Sequence, residues 1–372
     1  MRKLSDTDVL NKTVALRVDL NVPVKDGKVL DDSRILAVIP TLKYLQKQNS
    51  KTILISHFGR PKAGAIDFKF SLLPVAKRLG EILNMEIPIF ASIDEVNFHE
   101  DISMIENIRF LPGELINDFN LSKSLCNLAD VYVFDAFGTA HREQASTHSA
   151  IENSNNACAG ILLEKENEFL SKALNNFESP YVAIIGGAKV STKLELIQHK
   201  NSVADYVVVG GGIANTFLKA TGKNIGNSLV EDSMLEKAKH IYHQGKIILP
   251  DRVVTSKTFE GDDIKERQAN EIADDETILD LCLEQETISL INNAKTILWN
   301  GPMGVFENNF FEKGTKDLSV AIAKSAAFSL AGGGETLSAI NKYIKQDDVS
   351  YCSTGGCLLY TSDAADEGLG VD

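Results

Sequence analysis

The chain has 372 residues, 44% of them hydrophobic, and a formal net charge of −13. That length suits two domains with separate cores, and the acidic balance argues against a nucleic-acid binder, which would carry a basic face. No run of about 18 apolar residues is present to cross a membrane, and the N-terminal "MRKLSDTDVLNKTV" lacks the apolar centre of a signal peptide, so a cytoplasmic location is expected.

In chain order, "TVALRVDL", "KTILISH", "ADVYVFDAF", "YVAIIGG", "ADYVVVGGG", "KIILP" and "KTILWNGP" each read as a buried strand emptying into a Gly- or Asp-bearing loop. Such runs alternating with helical patterns predict an α/β fold of doubly wound parallel sheets with helices on both faces. Residues 162–180 carry Leu163, Phe169, Leu170 and Leu174 at helical spacing and end at Pro180. They predict a hinge helix joining two such domains, at 1–163 and 164–356, with an atypical tail at 357–372. Cys126, Cys158, Cys282, Cys352 and Cys357 form no C-x-x-C pair, so neither a disulfide frame nor a zinc site is indicated.

In sheets of this kind ligands bind beyond the carboxyl ends of strands. The first domain's loops there carry "RVDLNVP", "DDSRI", "SHFGRP", "ENIRF" and "DAFGTAHR". Arg34, Arg60, Arg109 and Arg142, with His57, predict a basic basin for phosphate and carboxylate. Asp19 and Asn21 read either as partners of a hydroxyl or an arginine, or as an Asx-turn before Pro23.

The second domain's loops are glycine-rich: "GGAK", "VGGGIANTF", "WNGPMGVFE" and "AGGGETLSA". Repeated at successive strand ends, they predict close backbone approach to a nucleotide. Glu307 and Glu335 suit a ribose hydroxyl or a phosphate-bound Mg²⁺, or else serve as acids at helix starts. In "GGAKVSTKLE" the expectation is a strand opening directly into a helix. Lys189 and Lys193 would then stack on one helix face, repelling by about 0.2–0.5 kcal/mol until an anion lies between them. No Walker motif is present, and no G-x-G-x-x-G follows a strand, which disfavours a Rossmann dehydrogenase.

Taken in order from residue 17 to about 356, "RVDLNVP", "SHFGRP", "ENIRFLPGE", "DAFGTAHREQASTH", "GGAKVSTKL", "VVGGGIANTF", "AKTILWNGPMGVFE" and "AGGGETLSAI" resemble the motifs of the phosphoglycerate kinase family. The resemblance implies one domain for 3-phosphoglycerate or 1,3-bisphosphoglycerate and one for ATP or ADP with Mg²⁺, in a cytoplasmic monomer whose domains close on both ligands. By motif match, Asp19, Asn21, Arg34, His57, Arg60, Arg109 and Arg142 belong to the phosphoglycerate site. Lys193, Glu307, Gly333, Gly334, Glu335 and Thr336 belong to the nucleotide site, with Glu335 at the metal. Arg34, Lys189 and Lys193 are the residues expected at the transferring phosphate. The attacking group is a carboxylate, ionised above a pKa near about 4, so no general base is required and His57 is expected to act as a hydrogen-bond partner.

Two departures from the family pattern stand out. Glu335 occupies a position where the family has Asp, which perturbs the strict octahedral shell of Mg²⁺. After "STGG" the chain reads "CLLYTSDAADEGLGVD", which leads to the expectation that 357–372 is foreign sequence and that this chain is less stable and less active than its relatives. The alternative reading is a catalytically impaired phospho-ligand-binding protein.

Overall fold

The computed structural model describes residues 2–353. The tail at 357–372 lies outside the described residues. By internal packing the chain divides into two units, the first running to Glu168 and the second starting at Phe169.

The first unit is built on six strands: β1 (Thr13–Val18), β2 (Lys51–Ile55), β3 (Ile89–Phe90), β4 (Ile102–Ile105), β5 (Val131–Asp135) and β6 (Ala157–Ala159). They form one parallel sheet in the order β3-β4-β2-β1-β5-β6. Helices α1 (Ser33–Lys47), α2 (Leu73–Leu83) and α3 (Phe119–Cys126) connect the strands. Two apolar clusters flank the sheet, one including Val14, Leu16 and Leu54, the other Ala15, Ile53 and Tyr132. Burial on both faces is why β1, β2 and β5 read as continuous apolar runs rather than alternating ones. Each fully buried Leu, Ile or Val contributes about 1.5–3 kcal/mol by leaving water.

The chain begins at β1, moves outward through β2 to the edge strand β3, fills the gap with β4, then crosses back to β5 on the other side. The reversal therefore falls between β1 and β5, where Val18 is in register with Asp135 and Arg17 with Ile55 on β2. Loops leaving these three strands start from one level, beside the opening that a reversal leaves.

Helix α4 (Ile161–Leu174) follows β6. It stops six residues short of Pro180, so the expectation of a helix ending at that proline is corrected. The intervening "NNFES" holds polar side chains that favour turns over helix. At its start the buried Asp135 accepts the Leu163 N–H at 2.8 Å and the Thr41 hydroxyl at 2.6 Å. In its second half Phe169 stacks on Tyr351 at 4.3 Å and on Phe328 at 5.9 Å.

The second unit carries β7 (Tyr181–Ile185), β8 (Tyr206–Val209), β9 (Ile247–Ile248), β10 (Arg252–Ser256), β11 (Lys265–Gln268), β12 (Thr277–Leu281), β13 (Thr296–Asn300), β14 (Phe328–Gly332) and β15 (Tyr351–Ser353). Six of them form a parallel sheet in the order β9-β8-β7-β13-β14-β15, and β11-β10-β12 form a small antiparallel sheet. Helices α5 (Leu194–Val203), α6 (Gly211–Ala220), α7 (Leu235–Tyr242), α8 (Gln285–Asn293), α9 (Lys313–Lys324) and α10 (Gly334–Tyr343) pack around them. The reversal of strand order falls between β7 and β13, where Ile185 pairs with Asn300.

Candidate active site

In the first unit the chain leaves β1 into a turn closed by Asp19, whose Oδ1 accepts the Asn21 N–H at 3.1 Å. Its Oδ2 pairs with Arg34 at 2.8 Å, and Arg34 also donates to the Asn21 carbonyl at 3.1 Å. Asp19 is thus both an Asx-turn and an arginine anchor, one oxygen for each. The Asn21 Oδ1 accepts the Gly59 N–H at 2.9 Å, and the Gly59 carbonyl accepts from Arg109 at 2.6 Å. Gly59 has φ +59°, and a Cβ there would lie 2.4 Å from the Phe70 ring. Only glycine fits without displacing that ring.

His57 is buried, its Nδ1 3.9 Å from the Asp19 Oδ1. Burial first, then the charges of Arg17, Arg109, Arg142 and Arg34, hold its pKa far below the usual imidazole value. Burial, followed by the charges of Arg142 and Arg17 and with a contribution from Arg60, likewise lowers that of Arg109. These mutual effects mark Arg17, Arg34, Arg60, Arg109 and Arg142 as one basin around a neutral histidine. The neighbouring carboxylates, Asp19 and the buried Glu114, are too few to neutralise five guanidiniums, so the basin keeps an excess of positive charge.

Arg17 is the member that the loop inventory missed. It is 0% exposed. Its Nε donates to the Ser146 Oγ at 2.8 Å, one terminal nitrogen donates to the Val18 carbonyl, and the other lies 3.4 Å from the His57 Nδ1. A guanidinium only donates, so Nδ1 accepts and the histidine proton sits on Nε2. Ser146 in turn donates to Glu114 through its hydroxyl at 2.6 Å and its N–H at 3.0 Å. An arginine interrupting the apolar run "VALRV" was the available signal.

In the second unit the ends of β7 and β13 touch. The Gly186 N–H donates to the Asn300 carbonyl at 2.9 Å, and a Cβ on Gly186 would lie 1.9 Å from the Pro302 carbonyl oxygen. Lys193 sits at the N-cap of α5 with its ammonium turned inward, donating to the Gly186 carbonyl at 2.5 Å and the Asn300 carbonyl at 3.0 Å. Burial pulls its pKa down to about 8, partly opposed by the charge of Glu335. The expected stacking of Lys189 and Lys193 on one helix face is corrected. The helix starts only at Leu194, and Lys189 is an exposed loop residue whose carbonyl accepts the Thr192 hydroxyl at 2.8 Å. The fully buried Val190 pins this loop, and Lys193 has φ −129°, outside helical backbone.

Beside this loop lies a cleft of about 470 Å³, floored by Gly187, Ala188, Gly211 and Gly212. Leu229 and Phe259, each 54% exposed, stand at its edge, and Glu307 and Glu335 add carboxylates. Exposed apolar side chains over a backbone floor suit a flat aromatic ligand. Gly333 precedes α10, and Gly334, Glu335 and Thr336 form its first turn, whose N–H groups have no partner further back in the helix. The Thr336 hydroxyl is buried and accepts the Gly301 N–H at 2.7 Å, so it locks the turn rather than facing a ligand. Trp299 is buried on β13 and donates from Nε1 to the Gly301 carbonyl at 2.9 Å, a packing role.

Among the described residues no group of three or more His, Cys, Asp or Glu side chains is placed to hold a metal ion. Glu335 is a single exposed carboxylate close enough to Lys193 to affect its proton affinity. That donor set fits a Mg²⁺ ion taking its other ligands from water and substrate phosphates, and does not fit an all-protein cage.

Two units on doubly wound parallel sheets, one presenting clustered guanidiniums and the other a glycine-floored cleft beside an inward-turned lysine, define the class of two-domain α/β phosphotransferases. The family model of phosphoglycerate kinase matches residues 4–361, beyond both ends of the motif series. A phosphoglycerate kinase from Vibrio campbellii is 47% identical over 360 residues, covering 95% of this chain and 93% of the relative. The solved phosphoglycerate kinase from Coxiella burnetii superposes with a TM-score of 0.90 at 39% identity, covering 98% of this chain and 96% of its own. That from Pyrococcus horikoshii gives 0.82 at 31% identity, with coverages of 99% and 96%. The chain belongs to the phosphoglycerate kinase family.

Proposed function

We propose that this chain catalyses reversible phosphoryl transfer between 1,3-bisphosphoglycerate with ADP and 3-phosphoglycerate with ATP. The observation that carries the reading is the pairing of chemistries: an incompletely neutralised guanidinium basin in one unit and a glycine-floored cleft beside a buried lysine ammonium in the other. Arg34, Arg60, Arg109 and Arg142 bind the phosphate and carboxylate of phosphoglycerate. Asp19 orients Arg34, and Asn21 orients the Gly59 loop. His57, neutral and carrying its proton on Nε2, donates a hydrogen bond. The cleft takes the base of ATP or ADP, with Glu307 at the ribose, while the first turn of α10 and Lys193 meet the phosphates. Glu335 would hold Mg²⁺, which supplies charge neutralisation on the phosphates when bound.

In the ATP-consuming direction a carboxylate oxygen of 3-phosphoglycerate attacks the γ-phosphorus, and the bond to the β,γ-bridging oxygen breaks to release ADP. No proton has to be removed from the attacking group at neutral pH. The protein's share is alignment and charge: Lys193 and Arg34 stabilise the equatorial oxygens of the moving phosphoryl group, and Lys189 on its open loop adds a further cation. With one ligand on each unit, transfer requires a closing motion that also keeps water from the acyl phosphate. A cytoplasmic monomer is part of the same proposal.

The test is a coupled assay of ATP-dependent 1,3-bisphosphoglycerate formation with Lys193→Ala. Turnover should fall by about two orders of magnitude or more while 3-phosphoglycerate binding, followed by calorimetry, stays unchanged. Unchanged turnover would reject the role of Lys193. A wild-type protein that binds both ligands without turnover would favour the impaired-binder alternative.

A further inference from the structure

One wall of the nucleotide cleft is the segment 302–305, held in place by its backbone amides. The Met303 and Gly304 N–H groups reach the buried Thr315 hydroxyl at 3.1 and 3.4 Å, and the Val305 N–H donates to the Leu279 carbonyl at 2.9 Å. The Met303 carbonyl accepts the Gly211 N–H at 2.8 Å, so this wall also fixes the start of α6 in the cleft floor. Beneath it, Asp280 on β12 is 1% exposed yet lines the same cleft. Its Oδ2 accepts the Gly314 N–H at 2.7 Å, while its Oδ1 has no hydrogen-bond partner. Instead Oδ1 lies where a Cβ on Gly304 would approach to 2.2 Å and one on Gly314 to 2.6 Å.

A buried carboxyl group with one oxygen unsatisfied is a costly way to fill space, and an apolar side chain would pack there at lower cost. What the carboxyl does that an apolar group cannot is hold the Gly314 N–H at the first turn of α9. It thereby fixes Thr315, the next residue, under the Met303 and Gly304 amides. We propose that Asp280 and Thr315 are positioning residues for the nucleotide, setting the height of the 302–305 wall and, through Gly211, the width of the cleft. This rests on the nucleotide reading of the cleft.

The experiment measures KM for ATP and for 3-phosphoglycerate, kcat, and ADP binding by calorimetry in Thr315→Val, Thr315→Ser and Asp280→Ala, beside the wild type. Thr315→Val keeps the branched shape and removes the hydroxyl that accepts the Met303 and Gly304 N–H groups. It should raise KM for ATP and Kd for ADP roughly tenfold, the loss of a buried hydrogen bond, with KM for 3-phosphoglycerate and saturated kcat unchanged. Thr315→Ser should restore wild-type values, and Asp280→Ala should reproduce the valine pattern. If Asp280→Ala does not fold, the two Thr315 variants decide the matter. A merely structural role would lower thermal stability and leave the KM for ATP alone, and that result, an equal loss for both substrates, or failure of serine to restore binding would overturn the proposal. If the wild type itself binds no ADP, the nucleotide reading falls, and this inference with it. Wild-type ADP binding left unchanged in Thr315→Val overturns the positioning role alone.

Discussion

Lys200 offers a quantitative test of the second unit. It lies on α5, 0% exposed, with no hydrogen-bond partner for its ammonium, which sits 5.6 Å from the centroid of the Tyr181 ring. Burial drives its pKa from 10.5 down to about 8. At about 1.4 kcal/mol for each factor of ten in proton affinity, the charged form costs about 3 kcal/mol of folding stability at neutral pH. The cation–π contact returns about 1 kcal/mol. Desolvation therefore wins, and Lys200→Met, which keeps the length of the stem, should stabilise the second unit by about 2 kcal/mol, or roughly 4–8 °C in Tm. The sign with pH follows from linkage. Below about 8 both native and unfolded lysines are charged and the full cost is present. Between there and 10.5 the unfolded chain holds a proton that the native state has shed, so the wild type gains stability as pH rises and the advantage of methionine shrinks. Paired urea melts of the two proteins at about pH 7 and about pH 10 measure this. A methionine variant less stable than wild type at the lower pH, or an advantage that does not shrink at the higher, would refute the reasoning.

Two further outcomes are expected. Because Lys193 has a pKa of about 8 in the free protein and phosphate oxygens favour its charged form, ADP binding near that pH should take up a fraction of a proton and weaken as pH rises. Calorimetry in buffers of different ionisation enthalpy reads this directly, and no proton linkage would contradict it. Gly59→Ala forces a left-handed alanine against the Phe70 ring and displaces the carbonyl that holds Arg109. It should raise KM for 3-phosphoglycerate several-fold with KM for ATP unchanged, and steady-state kinetics on both substrates check it.

The parallel strands were legible because burial on both faces leaves an uninterrupted apolar run, as in "YVAII" of β7. Strand β11 was not, since "KERQ" has no apolar residue and is fixed by pairing with β10. The arginine basin could be anticipated from cations after strand ends, but Arg17 lies within a strand and its role depends on Ser146 and Glu114, more than 90 residues away in the chain. Lys189 and Lys193 were misplaced because spacing of four is helical only where a helix has begun, and a buried Val190 delayed it. Asp280 was invisible for a similar reason: in "TILDL" it looks like one polar residue on a strand, and only packing against Gly304 and Gly314 reveals its place.

Trp299 is the sole tryptophan of the chain, and it is sealed inside β13 one residue before the carbonyl that holds the Lys193 ammonium. The protein therefore carries a built-in optical label for one of its halves. Indole fluorescence will follow melting of the second unit without chemical tagging, while the first unit stays dark in that channel. Comparing such a trace with circular dichroism separates the order in which the halves come apart.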